Sequence, residues 1–148
     1  VLNDITPNIS LWSDETNPLE QYLSSLSKIE EFSVKLVLPG HRRPFKDLRG
    51  RISELRNHHY DRLKEILYIL GDGCKSPYQI AALMTWEMTY KTWDQFPAPQ
   101  KWFATGEAIA HIKYLFEKHS ISRKTYAHSH YYYLTMNSGG ENICVTKG

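Results

Sequence analysis

The groups in this sequence best able to do chemistry are its imidazoles and guanidinium groups, and one imidazole stands in a setting that a metal site requires. In Lys35-Leu36-Val37-Leu38-Pro39-Gly40-His41 an aliphatic run meets a Pro-Gly turn, which would present His41 from a rigid strand edge at the top of a sheet. Alone this is a weak signal, because a single loop histidine is ordinarily a surface or packing residue. Arg42 and Arg43 follow directly, and guanidinium forks pair well with the carboxylate or phosphate of an anionic substrate. Arginines of this kind are more often solvated or held in structural ion pairs. His58 and His59 are neighbours in a helical pattern, so they point to different faces and cannot chelate one ion as an i, i+4 pair can; packing and inter-domain hydrogen bonds are the expected use. His128 and His130 would share a face if extended, which permits a weak adventitious metal site, but exposed polar residues of a turn are the simpler account.

These residues need elements to position them. Asn17-Pro18-Leu19-Glu20 places a cap, a proline at the first helical position and an early carboxylate before Tyr22, Leu23, Leu26 and Ile29, which predicts a helix over 18–31. Residues 32–38 read as a buried strand stopped by Pro39-Gly40. Asp47 caps a longer helix carrying Ile52, Leu55, Leu63, Ile66, Leu67 and Leu70, ended by Gly71. Ser76-Pro77 starts a short helix with Ile80, Leu83 and Met84, and Phe96-Pro97-Ala98-Pro99 interrupts the chain before a third helix over about 100–119. The apolar face of that helix is expected at Phe103, Ile109, Ile112, Leu115 and Phe116, and Ile121 to Met136 reads as two β-rich stretches around Ala127-His128-Ser129-His130.

The 148 residues are 41% hydrophobic, enough to bury a core in one domain or two small ones. With 18 Lys and Arg against 16 Asp and Glu, no global field argues for nucleic acid or an anionic membrane as partner. Cys74 and Cys144 lie far apart without CxxC spacing, which suggests neither a disulfide framework nor a zinc knuckle and favours a reducing, cytoplasmic setting. No stretch has the length of a transmembrane span or the pattern of a signal peptide. The start at Val1-Leu2-Asn3-Asp4 fits either processing or a piece of a longer protein.

Taken together, Ile5-Thr6-Pro7-Asn8-Ile9, Asn17-Pro18-Leu19, Tyr22-Leu23-Ser24-Ser25-Leu26 and Val37-Leu38-Pro39-Gly40-His41 resemble the last stretch of the metallo-β-lactamase fold in hydrolases of the glyoxalase-II-like branch. The resemblance is strong to about residue 70 and looser beyond. It implies that His41 is the final histidine ligand of a two-metal site and that a helical C-terminal module follows, with Asn57-His58-His59-Tyr60-Asp61-Arg62 where the linking helix enters it. The other ligands that the family uses, an HxHxDH run, a further histidine and a bridging aspartate, are absent. His128-Ser129-His130 imitates half of the run, but Tyr131-Tyr132-Tyr133 stands where an aspartate and a histidine are needed, so the match fails.

The expected fold class is therefore α+β and mainly helical. Residues 1–50 form the end of a metallo-β-lactamase αββα domain, and 51–148 form a winged-helix-like domain of three helices and a β-hairpin. The expected parent is a hydrolase of ester, thioester or amide-like bonds using two divalent ions, zinc or iron. A dinuclear centre needs several converging ligands, so this chain alone is expected to be inactive and to bind no metal tightly. Its expected partners are the missing N-terminal half of the fold and, through the apolar face so exposed, a second copy. A different class of function is DNA binding by the winged-helix-like module. Lys101, Lys113 and Lys118 on the third helix are offset by Glu107 and Glu117, and Arg123 and Lys124 are the only local argument for it. An accessory role in shaping the substrate entrance or a dimer interface ranks above it. The run Tyr131-Tyr132-Tyr133 with Trp86, Trp93 and Trp102 could line a channel or stack on bases, though packing explains such rings more simply.

Overall fold

A computed structural model describes residues 1–11 and 16–135 of the chain. Met136, the tail from Gly139 and Cys144 lie outside the described residues. The Asn17 side chain accepts the Glu20 amide at 3.1 Å, and with Pro18 in the first turn it starts helix α1, Pro18–Glu30. Leu19, Leu23 and Leu26 fall on one stripe and are buried, with Tyr22 and Ile29 packed beside them. Asp47 does the same for α2, Leu48–Gly71, accepting from the Gly50 amide at 2.8 Å. Gly71 is the last residue of α2, but the left-handed step that turns the chain is two residues on, at Gly73 with φ 109°.

Ser76 and Gln79 form a reciprocal capping box at the start of α3, Pro77–Leu83. Ile80, Ala81 and Met84 are buried from this element, whereas Leu83, expected on its apolar face, is exposed. A 3-10 turn at Trp93–Gln95 leads to α4, Ala98–Glu117. The buried side of α4 is Ala104, Ala108, His111, Ile112 and Leu115, and Phe103 is 49% exposed. Small alanines at i, i+4 spacing let neighbouring elements approach, so the inner face runs through them and Phe103 points away.

Strands β1, Ile121–Tyr126, and β2, Ser129–Leu134, form an antiparallel hairpin pairing Ile121 with Leu134 and Arg123 with Tyr132. Its two-residue turn is Ala127-His128, both at positive φ, 46° and 63°, the geometry that matches a twisted hairpin. Lys75, just before α3, exchanges both backbone hydrogen bonds with Tyr132 and so lies against the outer edge of β2. One continuous cluster from α1, α2, α3, α4 and β1 makes the core, including Ile52, Leu55, Ile66, Ile80, Ile112 and Ile121. Each such side chain contributes about 1.5–3 kcal/mol by leaving water.

Two expectations are corrected here. Residues 32–38 do not form a buried strand: Val37 and Phe45 make an isolated antiparallel bridge, while Phe32 and Leu38 are 65% and 75% exposed. A strand is buried only by partners on both sides, and no described segment supplies them. Cys74, for which spacing suggested no disulfide, is disulfide-bonded, since residue spacing does not report which segments a fold brings together. No helix among the described residues is long and apolar enough to cross a membrane.

Candidate functional site

His41 lies exposed just after Pro39-Gly40, at the end of the 32–40 segment. The position of Gly40 does not require glycine, because its φ is not positive and a Cβ there would meet nothing within 4 Å. Arg42 takes the left-handed conformation instead, at φ 72°. Its guanidinium faces Asp4 at 3.5 Å, an exposed pair of small energetic weight that ties this loop to the N-terminal segment. Arg43 is exposed beside it. The N-terminal segment is itself held on α2 by Arg51, whose guanidinium donates to the carbonyls of Leu2 and Ile5 at 2.8 and 2.9 Å.

Among the described residues no group of three or more His, Cys, Asp or Glu is placed to hold a metal ion. His41 is a single imidazole at an exposed loop, and one ligand cannot fix a divalent ion or lower the pKa of its bound water. The residues present therefore do not by themselves fit a dinuclear centre. The other histidines do not join it. His58 is exposed and His59 fully buried, on different faces of α2 as adjacent helical positions require. His128 sits in the hairpin turn and His130 pairs through Nδ1 with the Thr125 hydroxyl at 2.9 Å, so the two do not form an extended chelating pair.

The polar constellation that the fold does assemble lies between α2 and α4. His111 Nδ1 is 2.8 Å from the carbonyl oxygen of Glu107 one turn earlier, and since a carbonyl only accepts, that nitrogen carries the proton. The neutral ring then offers Nε2 as a lone pair, and His59 Nδ1, 3.0 Å away, must donate to it. This leaves His59 Nε2 as a buried acceptor with no partner among the described residues. Burial pushes the His59 imidazole down to about 3, with His111 beside it adding to the shift. Burial likewise lowers His111 to about 4, against the opposing pull of the Glu107 carbonyl. Both rings are therefore neutral at ordinary pH, as the hydrogen-bond chain demands.

Arg62, one turn beyond His58, closes the other side of this interior. It donates to Glu65 at 2.8 Å and to the Thr85 carbonyl, lies 3.7 Å from Glu107, and stacks over the Trp86 ring at 4.2 Å. Glu65 in turn accepts the Thr85 amide at 2.6 Å, so this one ion pair pins the end of α3 to α2. Burial raises Glu107 above the usual carboxylate range and the Arg62 charge opposes it. Asn8 donates to Glu107 at 3.1 Å and completes the link from the N-terminal segment to α4. The arrangement is a structural clamp, because its imidazoles are closed off from solvent and line none of the cavities seen among the described residues. Sequence reading assigns His58 and His59 to packing and inter-domain hydrogen bonds, whereas His59 pairs with His111 within the expected 51–148 domain and His58 is exposed; it misses the roles of His111 and Glu107. The available signal is a gap in the α2 apolar pattern between Leu55 and Leu63, filled by His59 and Arg62. Trp86 and Trp93 pack against the core, as does Tyr132, in keeping with a packing role for these rings.

A cavity of about 740 Å³ lies elsewhere, between α3, one stripe of α4 and the hairpin. It is lined by Tyr78, Ile109, Lys113, Phe116, Arg123 and Tyr132 among others, and none of His41, Arg42 or Arg43 reaches it.

No family model matches the chain, and no curated protein sequence matches it. Among solved structures, the crystal structure of a β-lactamase domain protein from Burkholderia ambifaria superposes with a TM-score of 0.76 at 32% identity over 86% of this chain. A metallo-β-lactamase family protein from Thermus thermophilus superposes with a TM-score of 0.69 at 29% identity over 90% of this chain. The chain spans 37% and 39% of the lengths of these two proteins. Its four helices and two-stranded antiparallel sheet thus match part of the structure of metallo-β-lactamase proteins.

Proposed function

We propose that this chain is the C-terminal part of a metal-dependent hydrolase of the metallo-β-lactamase superfamily, of the glyoxalase-II-like branch. The observation that carries the reading is the 32% identity over 86% of this chain to a protein of which it spans 37%. In this reading His41 is the last metal-ligand histidine and Arg42 and Arg43 hold an anionic part of the substrate. The remaining ligands, for two divalent ions, zinc or iron, come from the missing N-terminal half. The bond cleaved is an ester, thioester or amide-like one. The residues here offer one ligand, so the isolated chain is inactive.

Two features support the division of labour. Phe32, Val34, Leu36 and Leu38 expose aliphatic and aromatic surface next to His41, as a strand would whose neighbours belong to the absent half. The order α2, Lys75 bridge, α3, α4 and hairpin, with the Lys75–Tyr132 pairing beside β1 and β2, supports reading the region from residue 51 on as a winged-helix-like module. This module shapes substrate access or a dimer interface. The test is ester and thioester hydrolysis by the longer parent protein, by its His41→Ala variant and by this chain. The reading requires activity in the parent, a loss of about 100-fold or more in the variant and none in the chain. Activity in the isolated chain, or an undiminished His41→Ala parent, contradicts it.

A further inference from the structure

The cavity between α3, α4 and the hairpin has a composition that neither the core nor the His41 loop explains. Ile109, Lys113 and Phe116 lie at i, i+4 and i+7 along α4, so they form one stripe, and all three are half-buried and open to the cavity. Opposite them stands the hairpin face carrying Arg123 and, directly across the ladder, Tyr132. Tyr78 closes the third side from α3, its hydroxyl accepting from Trp93 Nε1 at 3.0 Å. The rings of Phe116 and Tyr132 meet edge to face, and the Arg123 guanidinium lies over Phe116 at 5.1 Å. Lys113 is paired with Glu117 at 3.0 Å. Among the described residues Arg123 has no carboxylate in ion-pair range, and no described aspartate or glutamate lines the cavity.

Aromatic rings on three walls and a guanidinium with no acidic group beside it among the described residues select both the shape and the sign of a ligand. We propose that this groove binds a small planar aromatic anion, a ring bearing a carboxylate or phosphate. The ring seats against Tyr78, Phe116 and Tyr132 and the anionic group pairs with Arg123. The cavity, about 740 Å³, lies within the range of small-molecule sites, which is roughly 300–1,000 Å³. The site is separate from His41 and stands whether or not the hydrolase reading does.

Titrating this chain with adenosine 5′-monophosphate, a ring carrying an anion, while following resonances of Ile109 and Tyr132, tests the assignment. Saturable binding is expected, with adenosine and inorganic phosphate each about tenfold weaker, because each lacks one of the two recognised features. Arg123→Gln should weaken the nucleotide about tenfold. Lys124→Gln, one position along on the opposite strand face, should leave it unchanged. Ile109→Trp, which fills the groove with the cation intact, should abolish binding. Equal affinity for adenosine, an Arg123→Gln variant that binds as well as the native chain, or the same loss in Lys124→Gln overturns the proposal. So does tighter, steeply salt-dependent binding of an oligothymidylate, which would make the groove a single-stranded nucleic-acid surface instead.

Discussion

Between α2 and α4, His59, Arg62, Glu107 and His111 meet partners that the chain itself supplies, whereas along residues 32–46 Phe32, Leu36 and Leu38 face solvent and His41 joins no metal-ligand group among the described residues. The first region is closed: polar groups are paired across helices far apart in sequence, and the aliphatic residues around them form one cluster. The second has one backbone bridge, Val37 to Phe45, and one exposed ion pair, Arg42 to Asp4. The buried region is dense in histidine, but its rings are closed off from solvent and the His59–His111–Glu107 hydrogen bonds commit both Nδ1 protons and the His111 Nε2 lone pair, leaving only His59 Nε2 without a partner among the described residues. The His41 loop has an available imidazole and nothing to act with. Availability and convergence are separate requirements for a site, and here they fall in different places.

If the contrast is real, perturbing the closed region must cost far more than perturbing the open one. Ile66→Ala leaves a cavity in the core cluster and should lower unfolding free energy by about 2–5 kcal/mol, read from denaturant midpoints. Acid should act through the two imidazoles. Their folded pKa values, about 3 and about 4, lie below the ordinary 6.5, so their neutral forms favour the folded state fully above pH 6.5. That stability is lost as pH falls from 6.5 toward 3, and about 4 kcal/mol of it should be gone by pH 5. Glu107, raised by burial, shifts the balance the other way and offsets part of the loss. Denaturant midpoints from pH 8 to 5 measure this, and a double His59→Leu, His111→Leu variant should show a flatter profile. His111→Leu alone orphans the His59 Nδ1 donor and should cost about 1–3 kcal/mol. At the other end of the scale, Leu38→Lys replaces an exposed side chain and should change stability by no more than about 0.5 kcal/mol. A loss comparable to Ile66→Ala there would mean that this chain buries the segment in solution.

The helices are legible in the sequence because their signals are local. Asn17, Asp47 and Ser76 each name a helix start through a hydrogen bond to an amide within three residues, and each does so in the structure. The hairpin around Ala127-His128 is legible from its β-rich flanks. What escapes depends on pairing at long range. Aliphatic residues 32–38 read as a strand, but strand formation is completed by partners that a single segment cannot announce. His111 pairs with a residue 52 positions away, and a polar residue inside a helical pattern looks like a fault in the pattern until its partner is known. Phe103 reads as part of the inner face of α4 because hydrophobicity outweighs size in such patterns, whereas close helix packing selects the alanines at 104 and 108. His41 itself stands out through its turn and its resemblance to a family, and the ligand role proposed for it needs further ligands that the described residues do not supply.

The central claim is that His41 is a metal ligand only when the rest of the fold is present, and counting metal tests it most directly. Zinc and iron measured per molecule should be about two in the longer parent, about one or fewer in its His41→Ala variant, and near zero in this chain. Stoichiometric metal on this chain, or a His41→Ala parent that keeps its full complement, would contradict the account.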